Sequence, residues 1–256
     1  MPEQQLKGCV ALITGGGSGF GRAAALKFCA EGARVAIGDL NRDSAQETAQ
    51  QVRDAGGEAL ALKVDVADEA SVGQFFGRVI EHYGRIDCAF NNAGILGPVG
   101  DLHAVALADY ERVMAVNVRG VWLCMQAEIR RMLEQDAPPG GHAIVNTASV
   151  AGLVGSALLP AYCGSKHAVV GLTRTAARSY GRRGIRVNCV CPGPIETPLA
   201  EPLFAQGNMR ETMLARQALD HFGTPDEVAA LVVWLSSPAA SLVTGTPVRV
   251  DAGALS

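Results

Sequence analysis

Tyr162 and Lys166, one helical turn apart, form the pair in this sequence best suited to moving a proton. A phenol with a pKa of about 10 is a poor base at neutral pH. An ammonium four positions along lies on the same helix face and favours the phenolate by placing opposite charge nearby. So tuned, the pair can take a proton from a hydroxyl group or return it. The same spacing also suits a surface pair on an amphipathic helix. Ser149 follows the apolar run Ala143 to Thr147, where its hydroxyl either orients a substrate oxygen or caps the next turn.

A second set of residues is suited to an anion. The apolar run Val10 to Thr14 passes directly into Gly15-Gly-Gly-Ser-Gly-Phe-Gly-Arg22, and Ala23 to Ala30 is strongly helical. Gly15, Gly19 and Gly21 allow a tight turn, so that backbone N–H groups and a helix N-terminus can approach a pyrophosphate. The next apolar run, Val35 to Asp39, ends in an acid. A carboxylate there accepts hydrogen bonds from an adenosine ribose and repels a 2′-phosphate, which selects NAD over NADP. Arg42 nearby softens that preference, and a helix cap is the other role open to Asp39.

These residues need a frame. Short β-branched runs alternate with helix-length amphipathic stretches, the signature of βαβ units feeding a parallel sheet. Strands are expected at Val10 to Thr14, Val35 to Asp39, Ala59 to Val66, Ile86 to Asn91, Ala143 to Thr147, Ile185 to Val190 and Pro247 to Asp251. Their nearly continuous apolar character suits burial on both faces. Asn41 or Asp43, Asp68 and Thr224 are set to cap helices, and Asp109 to Glu134 predicts one long helix. The expected fold is a single α/β domain over residues 1–256: a Rossmann-like doubly wound parallel sheet of about seven strands in the order 3-2-1-4-5-6-7. The proline-rich stretch of about 194–222, with a weakly amphipathic Leu203 to Leu219, is longer than an ordinary connection and suggests a substrate lid.

Composition narrows the function classes. The 256 residues are 48% hydrophobic and 18% charged, with 22 Lys and Arg against 25 Asp and Glu. That balance supplies no basic field for nucleic acid. No apolar run is long enough for a membrane span, and the first residues lack the pattern of a signal peptide. Seven cysteines without a C-x-x-C pair read mostly as small buried hydrophobes in a reducing compartment. Neither Cys189-x-Cys191 nor the five scattered histidines form a metal set with partners. A cytoplasmic protein with no metal is expected.

The glycine spacing G-x-x-x-G-x-G, together with Asn91-Asn92-Ala93-Gly94, Ser149 and Tyr162-x-x-x-Lys166, resembles the short-chain dehydrogenase/reductase family. The resemblance spans essentially the whole chain. It includes Asp65-Val66, Asn117 within Met114-Ala-Val-Asn-Val, Pro192-Gly193 and the ending Val250-Asp251-Ala252-Gly253. It implies that Ser149 stabilises the substrate oxygen, that Tyr162 transfers its proton, and that Lys166 also holds the nicotinamide ribose. Asn117 would hold, through its main chain, a water leading from Lys166 to solvent. Gly15, Ser18, Phe20, Asp39, Asp65, Val66, Asn92, Gly94, Pro192, Gly193, Ile195 and Thr197 would surround NAD(H). A homotetramer or homodimer is also implied, with the Asp109 and Pro160 helices pairing across a two-fold axis and the last strand completing a tetramer. The chain departs from the family at Ala252, where a glycine is usual.

Substrate contacts are expected from Ala151 to Pro160, from Ile95 to Val99 and from the lid. The first two stretches and Pro198 to Phe204 of the lid are largely apolar and carry no basic residue for a carboxylate or phosphate. They suggest an uncharged hydrophobic or alicyclic secondary alcohol and its ketone. A 3-oxoacyl-carrier-protein reductase is an alternative, for which Arg130, Arg131 and Arg178 would dock the acidic carrier. A sugar or polyol dehydrogenase and a non-catalytic NAD-binding regulator are the others.

Overall fold

The computed structural model describes residues 4–205 and 207–256. Seven strands, β1 (Val10–Thr14), β2 (Arg34–Asp39), β3 (Ala59–Lys63), β4 (Cys88–Asn91), β5 (His142–Thr147), β6 (Ile185–Pro192) and β7 (Pro247–Val250), form one sheet. Its order is β3-β2-β1-β4-β5-β6-β7, and every adjacent pair is parallel. Because successive side chains point to opposite faces, each apolar run serves two cores. Val10 and Leu12 pack with Phe75, Ile129 and Val169 on one side, while Ala11 and Ile13 pack with Phe28, Val52 and Val232 on the other.

The helices that cover the sheet are α1 (Gly19–Ala30), α2 (Arg42–Asp54), α3 (Glu69–Tyr83), α4 (Leu107–Met114), α5 (Gly120–Leu133), α6 (Pro160–Tyr180) and α9 (Pro225–Ser236). Caps set their starts. The Asn41 side chain accepts from the N–H groups of Asp43 and Ser44, Asp68 accepts from Ala70, and Thr224 with Glu227 closes a reciprocal capping box.

Several expected boundaries differ. β3 stops at Lys63, because Asp65 accepts from the Ala67 N–H and turns the chain toward α3. The expected Asp109 to Glu134 helix is α4 and α5 joined through a π-helical turn at Ala115–Arg119. Such widened turns are rare and often mark functional sites; this one contains Asn117. The lid stretch, with its weakly amphipathic Leu203 to Leu219, carries two short helices, α7 (Glu201–Phe204) and α8 (Met209–Leu214). β6 runs on to Pro192, where its last pairing is with Val250.

A polar line crosses the core between α5, the sheet and α6. Asn91 Nδ2 donates to Glu128 Oε2 and to Asn146 Oδ1, both at 3.0 Å, and Asn146 Nδ2 donates to Thr173 Oγ1 at 3.0 Å. Glu128 is fully buried, and its Oε1 has no partner. Burial pushes its carboxyl up to about 8, against the pull of the Asn91 hydrogen bond. The folded state therefore holds a proton that the unfolded chain gives up above about 4.5, so stability is full below that pH and is lost as pH rises through about 8. Glu128→Gln removes this loss. The variant should gain about 3 kcal/mol over wild type at pH 7 and nothing near pH 4.5, at ~1.4 kcal/mol per pH unit. Parallel Tm profiles from pH 4.5 to 8 that kept a constant separation would contradict this.

Candidate active site

The carboxyl ends of the strands face one cleft, and the glycine turn forms its floor. Gly15 has φ +64°, and a Cβ there would stand 2.8 Å from Ala93 Cα, so the loop leaving β4 rests directly on it. Gly21 does something else. A Cβ at Gly21 would fall 2.1 Å from the Gly15 carbonyl oxygen, so this residue lets α1 close onto the turn and does not line the cleft. Gly15, Ser18, Gly19 and Phe20 do line it. No side chain caps the N-terminus of α1, which leaves the first-turn N–H groups to meet an anion.

Asp39 closes one end. Its Oδ2 accepts from Gly17 N at 2.8 Å and its Oδ1 from Asn41 N at 2.9 Å. The cap of α2 is Asn41, so Asp39 is held by main-chain donors with its carboxylate at the cleft. Arg42 is exposed and outside the cleft lining, and Arg22 is engaged by Gly17 O, Thr48 and Glu47. Asp65 and Val66 form the wall beside Asp39. Further in, Asn92 Nδ2 donates to Gly15 O at 2.9 Å and Thr14 Oγ1 accepts from Asn92 N at 3.2 Å, welding β1 to β4.

At the other end the cleft opens into a chamber that holds Ser149, Tyr162 and Lys166. Lys166 is buried, and its Nζ donates to the Thr147 carbonyl at 2.7 Å, 5.4 Å from the centre of the Tyr162 ring. Ser149 Oγ accepts from Ala151 N at 3.1 Å and donates to the Pro192 carbonyl at 3.5 Å, so the hydroxyl caps a turn and reaches the end of β6. Asn117 Oδ1 accepts from Ile95 N, and its Nδ2 donates to Ile95 O and to Ser165 Oγ, at 2.9 to 3.0 Å. Ser165 in turn donates to the Tyr162 carbonyl at 2.7 Å. The π-helical turn and the Tyr162 helix are thereby fixed to each other. A Cβ on Gly94 would come within 3.2 Å of Asn117 Oδ1 and 3.5 Å of Lys166 Nζ, so this glycine lets the β4 loop pass over both.

By spacing alone Lys166 would favour a phenolate at Tyr162. Burial outweighs it in the protein alone. Tyr162 is pushed up to about 12 by burial, with Ser149 pulling the other way, and burial brings Lys166 down to about 8. The phenol is therefore set to keep its proton until positive charge is brought beside it.

Apolar side chains complete the chamber: Leu96, Leu159, Leu203, Phe204 and Met213, with Pro192, Gly193, Ile195 and Thr197 toward the cleft. The chamber measures about 180 Å³ and the adjoining cleft about 310 Å³. Leu158 has φ +63°, and its carbonyl accepts from Gly100 N at 2.8 Å, linking the two loops that flank the chamber; a left-handed leucine costs about 1–2 kcal/mol. Ala252 also lies in the left-handed region, at φ +50°, where the family carries glycine. Its carbonyl accepts from Ala218 N and Leu219 N and so anchors the end of the proposed lid.

Sequence reasoning did not single out Thr14, Thr147, Ser165 or Met213. Thr147 contributes a main-chain carbonyl, which no side-chain pattern announces. Cys163, expected to be a buried structural thiol, is half-exposed, with Sγ 3.7 Å from His167 Nδ1.

Residues 15–254 match the family described as enoyl-(acyl carrier protein) reductase. The chain is 41% identical over 249 residues, 97% of each chain, to 2,5-dichloro-2,5-cyclohexadiene-1,4-diol dehydrogenase of Sphingobium indicum. The chain is a short-chain dehydrogenase/reductase. Cis-4-hydroxycyclohexanecarboxylate dehydrogenase of Sinomonas cyclohexanicum is likewise 41% identical, over 95% of each chain. A short-chain dehydrogenase of Burkholderia cenocepacia J2315, solved in complex with NADP, superposes with a TM-score of 0.89 at 35% identity, covering 98% of this chain and 100% of its own. This short-chain dehydrogenase/reductase is thus an enzyme acting on CH–OH donors, in a family that uses a nicotinamide dinucleotide. Among the described residues no helix is long and apolar enough to cross a membrane.

Proposed function

We propose that this enzyme interconverts an uncharged alicyclic secondary alcohol and its ketone, with NAD(H) in preference to NADP(H). The observation that carries the reading is one continuous cleft with the Asp39 carboxylate at one end and Ser149, Tyr162 and Lys166 at the other. The dinucleotide fits this cleft: a helix N-terminus without a side-chain cap lies at the middle, and a carboxylate held by two main-chain donors lies at the ribose end. Gly15, Ser18, Gly19, Phe20, Asp65, Val66, Asn92, Gly94, Pro192, Gly193, Ile195 and Thr197 would hold it, with Gly21 acting by keeping the turn closed. When bound, it accepts or gives the hydride and places positive charge beside the phenol.

Ser149 donates a hydrogen bond to the substrate oxygen and sets its position. Tyr162 takes the hydroxyl proton during oxidation and returns it during reduction. Lys166, held by Thr147 O, adds the positive charge that lets the phenol ionise. Asn117 keeps the Ile95 loop and the Tyr162 helix in register. Residues 194–222 act as the lid of this single domain, and the leucines, Phe204 and Met213 exclude water from the reaction.

Ring-shaped substrates are favoured by the apolar chamber and by the two cyclic-alcohol relatives. The second relative's substrate carries a carboxylate, but no lysine or arginine other than Lys166 lines this chamber among the described residues. The carrier-protein alternative is weakened because Arg131 is tied to Gly84 O and Gln135. Assembly as a homotetramer fits the exposed Tyr110 and Trp122 on the α4–α5 run, with Trp234 on α9 and Leu242 ahead of β7 also exposed. Free thiols at all seven cysteines suit a cytoplasmic setting.

Steady-state assays of cyclic, aryl and open-chain secondary alcohols with NAD and NADP in parallel test the reading. Cyclic alcohols with NAD should give the highest kcat/KM. A preference for short open-chain or charged alcohols, or for NADP, would sink it.

A further inference from the structure

The proposed lid carries a cation that none of the chemistry above uses. Arg210, on α8, pairs with Glu196. Its guanidinium carbon also lies 4.8 Å from the centre of the Phe222 ring and 5.4 Å from that of Phe204. The two rings are themselves 5.0 Å apart, tilted by 41°. Each partner belongs to a different part of the site. Phe204 lines the chamber beside Tyr162. Glu196 stands between Ile195, which lines the chamber, and Thr197, which lines both chamber and cleft. Phe222 is buried at the foot of the lid, next to Gly223, which pairs with Ile195 and whose carbonyl accepts from Glu196 N at 3.1 Å.

An ion pair with both members about half exposed, as here, contributes little by itself. What distinguishes this one is the planar guanidinium set against two aromatic faces, an arrangement suited to arginine and not to lysine. We propose that Arg210 is a positioning residue: it clasps Phe204 against the stem of the lid and so sets the wall of the substrate chamber relative to the cofactor loop at Ile195 to Thr197. The inference rests on the functional reading above only for the identity of the substrate. The clasp itself belongs to the protein.

Two measurements on Arg210→Met and Arg210→Lys separate these. Limited chymotrypsin digestion, without substrate or cofactor, reads the clasp directly. Cleavage after Phe204 should accelerate about tenfold in Arg210→Met, corresponding to ~1.4 kcal/mol of local opening. Kinetics with the best ring alcohol should show KM raised about tenfold and kcat changed less than twofold. Arg210→Lys should recover only part of either effect. The charge swap Glu196→Arg with Arg210→Glu restores the ion pair but places a carboxylate on the ring faces, and it should recover neither. Full recovery by lysine or by the swap would overturn the proposal, as would unchanged cleavage or faster cleavage with an unchanged KM. If wild type turned over no alcohol in the panel, the functional reading would fail, and the digestion would still decide the clasp.

Discussion

Tyr162→Phe should lower turnover of the best alcohol by about 10³-fold, within the range that a single general acid–base group contributes, while NADH binding stays within a factor of two or so. Phenylalanine keeps the ring and loses the proton-carrying oxygen. The ring remains on its helix above Lys166, so the Lys166 bond to Thr147 O is untouched. Only the phenolic hydroxyl disappears. Because burial holds the phenol at about 12 and Lys166 at about 8 in the protein alone, the two directions of the wild-type reaction should respond oppositely to pH. Oxidation needs the phenolate and should quicken as pH rises above neutrality. Reduction needs the phenol and should stay level, then decline. Retained turnover in the variant, or the same pH response in both directions of the wild-type reaction, would remove Tyr162 from the proposed role.

Asp39→Ser is expected to lower kcat/KM with NAD by about 10- to 100-fold, since hydrogen bonds to a charged group contribute ~1.5–3 kcal/mol. Efficiency with NADP should rise at the same time, because the charge facing a 2′-phosphate is gone. Asp39→Asn serves as the control. Its Oδ1 can still accept from Gly17 N or Asn41 N, which both bond the wild-type carboxylate, so it separates loss of charge from loss of loop order. It should relax the preference against NADP with a smaller loss toward NAD. The readout is the ratio of the two kcat/KM values for each variant. An unchanged ratio in Asp39→Ser would show that Asp39 does not read the ribose.

The fold was legible because its signals are local and repeated. Seven apolar runs could be seen along the chain, and parallel strands buried on both faces need such runs at every strand. The strand order expected for a Rossmann-like doubly wound sheet is the order the structure has. Boundaries were less legible where one side-chain hydrogen bond decides them. Asp65 ends β3 early by capturing Ala67 N, and an acid after a strand does not reveal whether it will do so. The π-helical turn was invisible, since Ala115 to Arg119 differs in no way of composition from an ordinary helix. What gives that turn its place is Asn117, which bonds Ile95 and Ser165 from distant parts of the chain.

By itself the sequence determined the class of protein and the chemistry available: a parallel α/β sheet, a glycine turn for a pyrophosphate, an acid after the second strand, and a tyrosine with a lysine one turn away. Each is a pattern of neighbours, and neighbours are what a sequence records. Only the tertiary structure decided what those groups experience. It buried Lys166 and half-buried Tyr162 so that desolvation opposes the effect of their spacing, it put Gly21 behind the turn instead of in the cleft, and it brought Arg210 between two phenylalanines 18 residues apart. Desolvation and cross-chain packing depend on which segments converge, and that is settled only when the whole chain has closed around its sheet.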